Sequence, residues 1–213
     1  MLISDRLPLN LDKFVREDRI LTITGAAWSD YQEFNSPEYP GYRVSYFEGE
    51  IIIVSPGRNH ERISEVINRL IVAYCEKYEL KDFPFRQTRL KKTGQAGREP
   101  DIAYAFDSDK DLPDLVVEVI FRSDPADVSS AKERASSGDI EILKSSYQSI
   151  GISELWIWKD NKITFYYLEK NKYSVIESSK MLPAIESEFF VEYVNRGISE
   201  SPSEIKKDFL KTI

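Results

Sequence analysis

Residues 115–121 read Leu-Val-Val-Glu-Val-Ile-Phe, and this almost continuous apolar run constrains the fold more than any other part of the chain. A strand of this kind is covered on both faces, so the run predicts the central strand of a layered structure. One residue contradicts it. Glu118 stands in the middle, where an unpaired carboxylate costs several kcal/mol on the usual desolvation scale. A cation, a metal ion or protonation has to compensate it.

The 213-residue length fits one compact domain with additions, or at most two small ones, and is enough to bury a core without staples. Aromatic residues at 12% are too plentiful for a disordered chain. Cys75 and His60 are the single cysteine and the single histidine, which excludes an internal disulfide and a zinc centre of four N or S ligands. A reducing cytoplasm is the expected compartment. No stretch approaches 18 apolar residues, and the N-terminus lacks a signal-peptide core; nothing is expected to span or enter a membrane. The net charge of −7 gives no global field toward nucleic acid. A polyanion partner would need a local basic patch or metal ions.

Around the apolar run the chain alternates strand and helix signals. Residues 1–26 read as an irregular N-terminal arm with a short helix at Leu11–Glu17. A short helix is expected over Ala26–Phe34, then a turn at 36–41, SPEYPG. YRVSYFEGEIIIVSP reads as a β-hairpin turning at Glu48-Gly49. Asn59 is a candidate cap for a helix from His60 to Lys77, whose Ile63, Val66, Ile67, Leu70, Ile71 and Tyr74 form one apolar stripe. Phe83–Leu90 and Pro100–Phe106 read as strands separated by a loop, KKTGQAGRE. Residues 122–138 read as a mobile or partly helical insertion, followed by a helix over Ile140–Ile150. Glu154–Trp158 and Lys162–Glu169 form a second hairpin, Tyr173–Glu177 a further strand, and Glu186–Asn195 a last helix. The tail, 197–213, looks polar and at best helical. The sum is an α+β chain with one central sheet and a helix on either side.

The chemistry-bearing pair is Asp101, in REPD at the start of one strand, and Glu118 on the next. If those strands are neighbours the carboxylates converge, and hard oxygens at one point are what Mg²⁺ or Mn²⁺ requires. The carbonyl of Val119 would add another oxygen. A metal so held polarises a phosphoryl oxygen and activates a water for in-line attack. Such a site also wants a cation; Lys144, on the following helix, is available. Glu61, in the first turn of the stripe helix, adds an acid, with Glu65 one turn on along the same side. The bland alternative is that Glu118 pairs with a core arginine, Arg86 or Arg98, and that Asp101 merely starts a strand.

Several fragments occur together: GYRVSYFEGEIIIVSPGRNHE, REPDIAY, LPDLVVEV, SSG, YQSIGISELWIW and KMLP. In this order they resemble the Uma-two family, a branch of the PD-(D/E)xK restriction-endonuclease-like superfamily, over residues 27–196. The resemblance implies a restriction-endonuclease-like αβββαβ core with a mixed central sheet, an N-terminal hairpin, and a C-terminal hairpin plus helix. It implies Asp101 and Glu118 as metal-binding acids, Glu61 as the acid of the first helix, and Mg²⁺-dependent hydrolysis of phosphodiester bonds in DNA. Two departures stand out. The superfamily lysine two residues after the second acid falls on Ile120. In similar sequences a lysine four residues before the tyrosine of the second helix replaces it; counting back from Tyr147 gives Leu143, and Lys144 is one place off, about 100° around the helix. Lys132 and Arg134, on the insertion, are either substitutes or contacts to phosphate.

The remaining candidates have plain readings. His60 reads as a helix-start residue rather than a ligand. Gln87 either faces the site or lies on a surface strand. Trp156 and Trp158 read as core or as a homodimer surface. Lys91, Lys92 and Arg98 form either a phosphate-contacting patch or a solvated loop, and Cys75 reads as inert. Two functions follow: a cytoplasmic Mg²⁺-dependent endonuclease, with Asp101, Glu118, Glu61 and Lys144 at its site, or a nuclease fold that has lost turnover and serves as a binding or assembly module.

Overall fold

A computed structural model describes residues 18–34, 42–86, 88–120 and 130–213, with Arg19 and residues 130–139 described by their backbone alone. The expected helix at Leu11–Glu17, the 36–41 turn and Gln87 lie outside the described residues.

Strand β1 (Arg19–Thr24) leads into helix α1 (Trp28–Glu33), and then β2 (Arg43–Phe47) and β3 (Glu50–Ser55) form the expected hairpin. Its two-residue loop, Glu48-Gly49, has φ of 47° and 82°, the double left-handed geometry that matches strand twist. The arm was expected to be irregular, yet β1 pairs with β3 along its whole length, Arg19↔Ser55 through Thr24↔Glu50. Arg-Ile-Leu-Thr-Ile-Thr alternates too weakly to announce a strand, and the β3 edge supplies the ladder.

Helix α2 (Arg58–Tyr78) starts two residues earlier than expected, with Gly57 rather than Asn59 as its N-cap. The whole predicted stripe is buried, each residue contributing about 1.5–3 kcal/mol by removal from water. Short strands β4 (Asp82–Pro84), β5 (Leu90–Lys92) and β6 (Ala96–Arg98) follow. The sequence suggested one strand over 83–90 and a loop after it. Instead β5 and β6 make a hairpin, Leu90↔Arg98, that joins β2 through Tyr46↔Gly97. The ladder there rests on backbone pairing and on Ala96 and Gly97, which give no hydrophobic pattern. Gly97 is required by packing: a Cβ would enter the ring of Tyr31.

Strand β7 (Ile102–Phe106) and β8 (Leu115–Ile120) pair antiparallel, and after helix α3 (Ser130–Ile150) strand β9 (Glu154–Lys159) lies parallel to β8. Helix α3 begins ten residues before the expected Ile140, within what was read as an insertion. Strands β10 (Lys162–Glu169) and β11 (Lys172–Ile176) extend the sheet. Helices α4 (Ser187–Arg196) and α5 (Pro202–Thr212) end the chain, and the tail that looked polar places Ile205 and Phe209 in the core.

Two sheets result rather than one, with strand orders β1-β3-β2-β6-β5 and β11-β10-β9-β8-β7-β4. The second is the mixed central sheet. One face, bearing Ile102, Tyr104, Val117, Trp156 and Phe165, packs on α2, α4 and α5. The other, bearing Ala103, Val116, Leu155 and Ile157, packs on Leu143, Tyr147 and Ile150 of α3 and on Leu90 and Ala96 of the first sheet. The run at 115–120 is therefore covered on both sides, as its composition required. In chain order α2, β4, β7, β8, α3 and β9 form the αβββαβ core that the resemblance implied. Trp156 and Trp158 are fully buried within it, so neither forms a dimer surface.

Candidate active site

Ile102 stands opposite Val117 and Ala103 opposite Val116. Asp101 immediately precedes β7, and extending the register by one step would set it opposite Glu118. Side chains alternate along a strand, so Glu118 shares its face with Val116, the α3 side. The two carboxylates meet different elements: Asp101 faces His60 of α2 and Arg43 of β2, and Glu118 faces Tyr147 of α3. The backbone N–H of Val119 donates to Asp101 Oδ2 at 2.6 Å, which ties the start of β7 to the second acid. In an extended strand the carbonyl of a residue lies on the same edge as its N–H, so the Val119 carbonyl shares the Asp101 side.

Asp101 is buried, its side chain 2% exposed. Its Oδ1 is ion-paired with Arg43, the first residue of β2, and lies 3.0 Å from His60 Nε2. Arg43 also reaches His60 Nε2 through NH1 at 2.7 Å and Glu61 Oε1 through NH2 at 3.0 Å. The other side of the His60 ring is fixed by Asp18: Nδ1 donates to Asp18 Oδ2 at 2.7 Å, while Asp18 Oδ1 accepts the N–H of Gly57 at 2.8 Å. A carboxylate on Nδ1 leaves Nε2 as the ring atom facing Asp101 and Arg43. Asp18, the residue before β1, thereby locks the N-cap of α2 and the orientation of His60 together.

Glu118 is compensated differently. The hydroxyl of Tyr147 on α3 donates to its Oε1. Burial raises its carboxyl above the ordinary range, an effect that the Tyr147 hydrogen bond and the charges of Arg98, Arg43 and His60 only partly oppose. Burial also raises Tyr147, as does the Glu118 charge. Arg98, at the end of β6, is buried and donates through Nε to Ser146 Oγ at 2.7 Å. It influences Glu118 as a neighbouring charge, without an ion pair between them among the described residues. Arg98 was expected on a loop patch or as the partner of Glu118; it is a buried cation behind the acid.

The expected residues are therefore unequally placed. Asp101 meets the Val119 backbone, one residue past Glu118, and Glu61 is joined to Asp101 through Arg43. Glu61 is 57% exposed and lines, with Arg43, Glu65, Asn68, Arg86 and Asp101, a cleft of about 430 Å³. Glu65 binds Arg69 Nε at 2.6 Å. Lys144 is not brought to the acids: its Nζ donates to Glu141 Oε1 at 2.8 Å and stands 5.0 Å from the ring centre of Tyr166 on β10, two strands away from β8. Leu143, where the lysine of similar sequences would stand, is buried. Ile120 packs against the same α3 cluster. The side chains of Lys132 and Arg134 lie outside the described residues.

Sequence reasoning missed Asp18, Arg43, His60 and Tyr147 as members of this cluster. Arg43 gave no signal, since it opens an ordinary strand. A lone histidine beside an acid at a helix start, in RNHE, was the one available cue for His60.

Two carboxylates and a carbonyl are hard oxygen donors of the kind a small divalent ion takes. No three described His, Cys, Asp or Glu side chains form a cage by themselves. The donor set fits an ion that keeps several of its waters, the habit of Mg²⁺.

Comparison with known proteins agrees with this architecture. The Uma2 family model, described as "Putative restriction endonuclease", matches residues 28–194. A search of curated proteins finds no match. No described helix is long and apolar enough to cross a membrane. With most of its length matched and the two acids seated on adjacent strands of an αβββαβ core, the chain belongs to the Uma2 family of the restriction-endonuclease-like superfamily, whose members are usually metal-dependent.

Proposed function

We propose that this protein is a Mg²⁺-dependent endonuclease that hydrolyses phosphodiester bonds of DNA, with Mn²⁺ as a substitute ion. The single observation that supports it is the 2.6 Å hydrogen bond from the Val119 N–H to Asp101 Oδ2, which ties the first acid to the residue next to Glu118 on the neighbouring strand. The two acids and the Val119 carbonyl would hold the ion. Bound there, a divalent ion supplies polarisation of a phosphoryl oxygen and a water ionised near neutral pH.

The rest belongs to the chain's own residues. Tyr147 fixes one oxygen of Glu118 and so orients the other. Asp18 and His60 hold Asp101 from the α2 side. Glu61, exposed on the cleft wall, is placed to orient a water or a second ion. Residues from both sheets wall the cleft, which gives an entering phosphate a polar path despite the net negative charge. The lone Cys75 is buried with its thiol pushed up to about 12 by burial, an inert thiol with no part in the reaction. The test is cleavage of supercoiled plasmid with Mg²⁺ or Mn²⁺ by the wild type and by Asp101→Ala. Loss in the variant alone supports the assignment, and equal residual activity in both removes it.

One observation favours a second reading. Ile120 is apolar and Lys144 is engaged at Tyr166 and Glu141, so the lysine that commonly serves such acids is not at hand. A nuclease fold without turnover, used for binding or assembly, is the alternative. It predicts no heat and no change in melting temperature on titration with Mg²⁺ or Mn²⁺. An ion at 100 times its dissociation constant would add about 2.7 kcal/mol of stability.

A further inference from the structure

Arg43 belongs to the first sheet, yet its guanidinium stands on the acid of the second. NH1 is ion-paired with Asp101 Oδ1 and lies 2.7 Å from His60 Nε2, while NH2 is 3.0 Å from Glu61 Oε1. The two ends of the fork thus rest on different elements: one on buried Asp101, the other on Glu61 at the cleft wall. The Arg43 side chain is 22% exposed, so it has an open side, and that side lines the cleft.

Other cations near the acids are differently committed. Arg98 is buried on Ser146, and Lys144 lies over Tyr166. Arg86 lines the cleft without an ion pair to either acid among the described residues. Arg43 alone among these touches Asp101 and faces the cleft.

A divalent ion on Asp101 and a guanidinium on the same oxygen repel each other and compete for the same lone pairs. Glu61 would keep hold of NH2 while NH1 turned outward. A planar fork with free N–H groups in a cleft is the geometry that binds a phosphate by two parallel hydrogen bonds. Resting on the nuclease reading above, we propose that Arg43 is the substrate-phosphate ligand of this site and exchanges with the divalent ion at Asp101.

The experiment uses the intact chain and two readouts that do not require turnover. Mn²⁺ affinity is measured by titration calorimetry, and affinity for a fluorescent DNA duplex is measured with Ca²⁺ in place of Mg²⁺. Arg43→Met is expected to bind Mn²⁺ about tenfold more tightly and the duplex about tenfold more weakly, a tenfold change being about 1.4 kcal/mol. Arg43→Lys, which keeps charge but not the fork, should lie between the wild type and Arg43→Met in both. A merely structural role would weaken both affinities together. Mn²⁺ affinity equal to or below that of the wild type, or unchanged duplex affinity, overturns the exchange. Asp101→Asn separates the two ideas. If it abolishes Mn²⁺ binding, the acid pair stands as the metal site whatever Arg43→Met does; if it binds Mn²⁺ as the wild type does, the acid-pair reading and the exchange both fall.

Discussion

Asp101, the residue before β7, accepts a hydrogen bond from the N–H of Val119, one residue past Glu118 on β8. The pair is therefore one unit held by the ladder. If it holds the ion, Asp101→Asn and Glu118→Gln should each lower plasmid cleavage by about 10³-fold, corresponding to about 4 kcal/mol of transition-state stabilisation. Because the two act together, the double variant should be scarcely slower than either single one. Single-turnover rates check this. A double variant slowed by the product of the two factors would mean that the acids work independently.

Lys144 offers the opposite expectation. Its ammonium is held by Glu141 and by the face of Tyr166, so Lys144→Met should change cleavage by less than about threefold. It should cost only about 0.5–1 kcal/mol of stability, since the Glu141 partner is largely exposed and screened. A hundredfold loss of rate with an unchanged melting temperature would restore Lys144 to the reaction.

The raised carboxyl of Glu118 has a signature in stability against pH. Burial is its main cause, so the folded chain retains this proton at pH values where the unfolded chain has released it. Stability from this group is therefore fullest below the ordinary glutamate value of about 4.3 and falls as the pH rises toward the elevated one. Glu118→Gln removes that fall while its amide oxygen can still accept from Tyr147. In chelator-treated buffer, the variant should gain on the wild type as pH rises from about 4 to about 8. Each kcal/mol recovered is worth about 2–4 °C at this length. A gap that closes with rising pH contradicts the sign.

Glu154 is a buried carboxylate answered entirely by neutral donors. Oε1 accepts from the Trp156 indole N–H and Ser179 Oγ, both at 2.6 Å, and Oε2 from the N–H groups of Lys180 and Met181 at 2.8 and 3.1 Å. It pins the turn before α4 to the start of β9. Glu154→Ala leaves four donors without an acceptor and should cost about 3–5 kcal/mol in denaturant unfolding.

Tyr31 behaves in the reverse way. Its ring fills the space that Gly97 leaves, but its buried hydroxyl has no hydrogen-bond partner among the described residues. Tyr31→Phe should raise stability by about 1 kcal/mol, because an unmet hydroxyl costs roughly that much. Gly97→Ala, which drives a methyl group into the same ring, should lower it by about 1–3 kcal/mol. Denaturation midpoints distinguish the two directions.

The sequence disclosed what periodicity can disclose. The α2 stripe, the hairpin at Glu48-Gly49 and the doubly covered run at 115–120 all follow from local pattern, and the anomaly of Glu118 inside that run pointed to the site. What stayed hidden depends on long-range pairing. β1, β5 and β6 exist because an edge was offered to them, and their residues carry little alternation of their own. The same holds for the cluster around Asp101. Arg43 and Asp18 reach it from the first sheet and from the residue preceding it, 58 and 83 positions away in the chain, and nothing in either neighbourhood marks a partner at that separation.

Because Asp18, Arg43, His60, Asp101, Glu118 and Tyr147 arrive on successive elements of both sheets and two helices, the cluster cannot be completed before residue 147 has left the ribosome and docked. A nascent or truncated polypeptide would hold Asp101 with Arg43 and His60 already present, but would bury Glu118 without the Tyr147 hydroxyl that answers it. Folding of this cluster is therefore tied to the docking of α3 on the sheet.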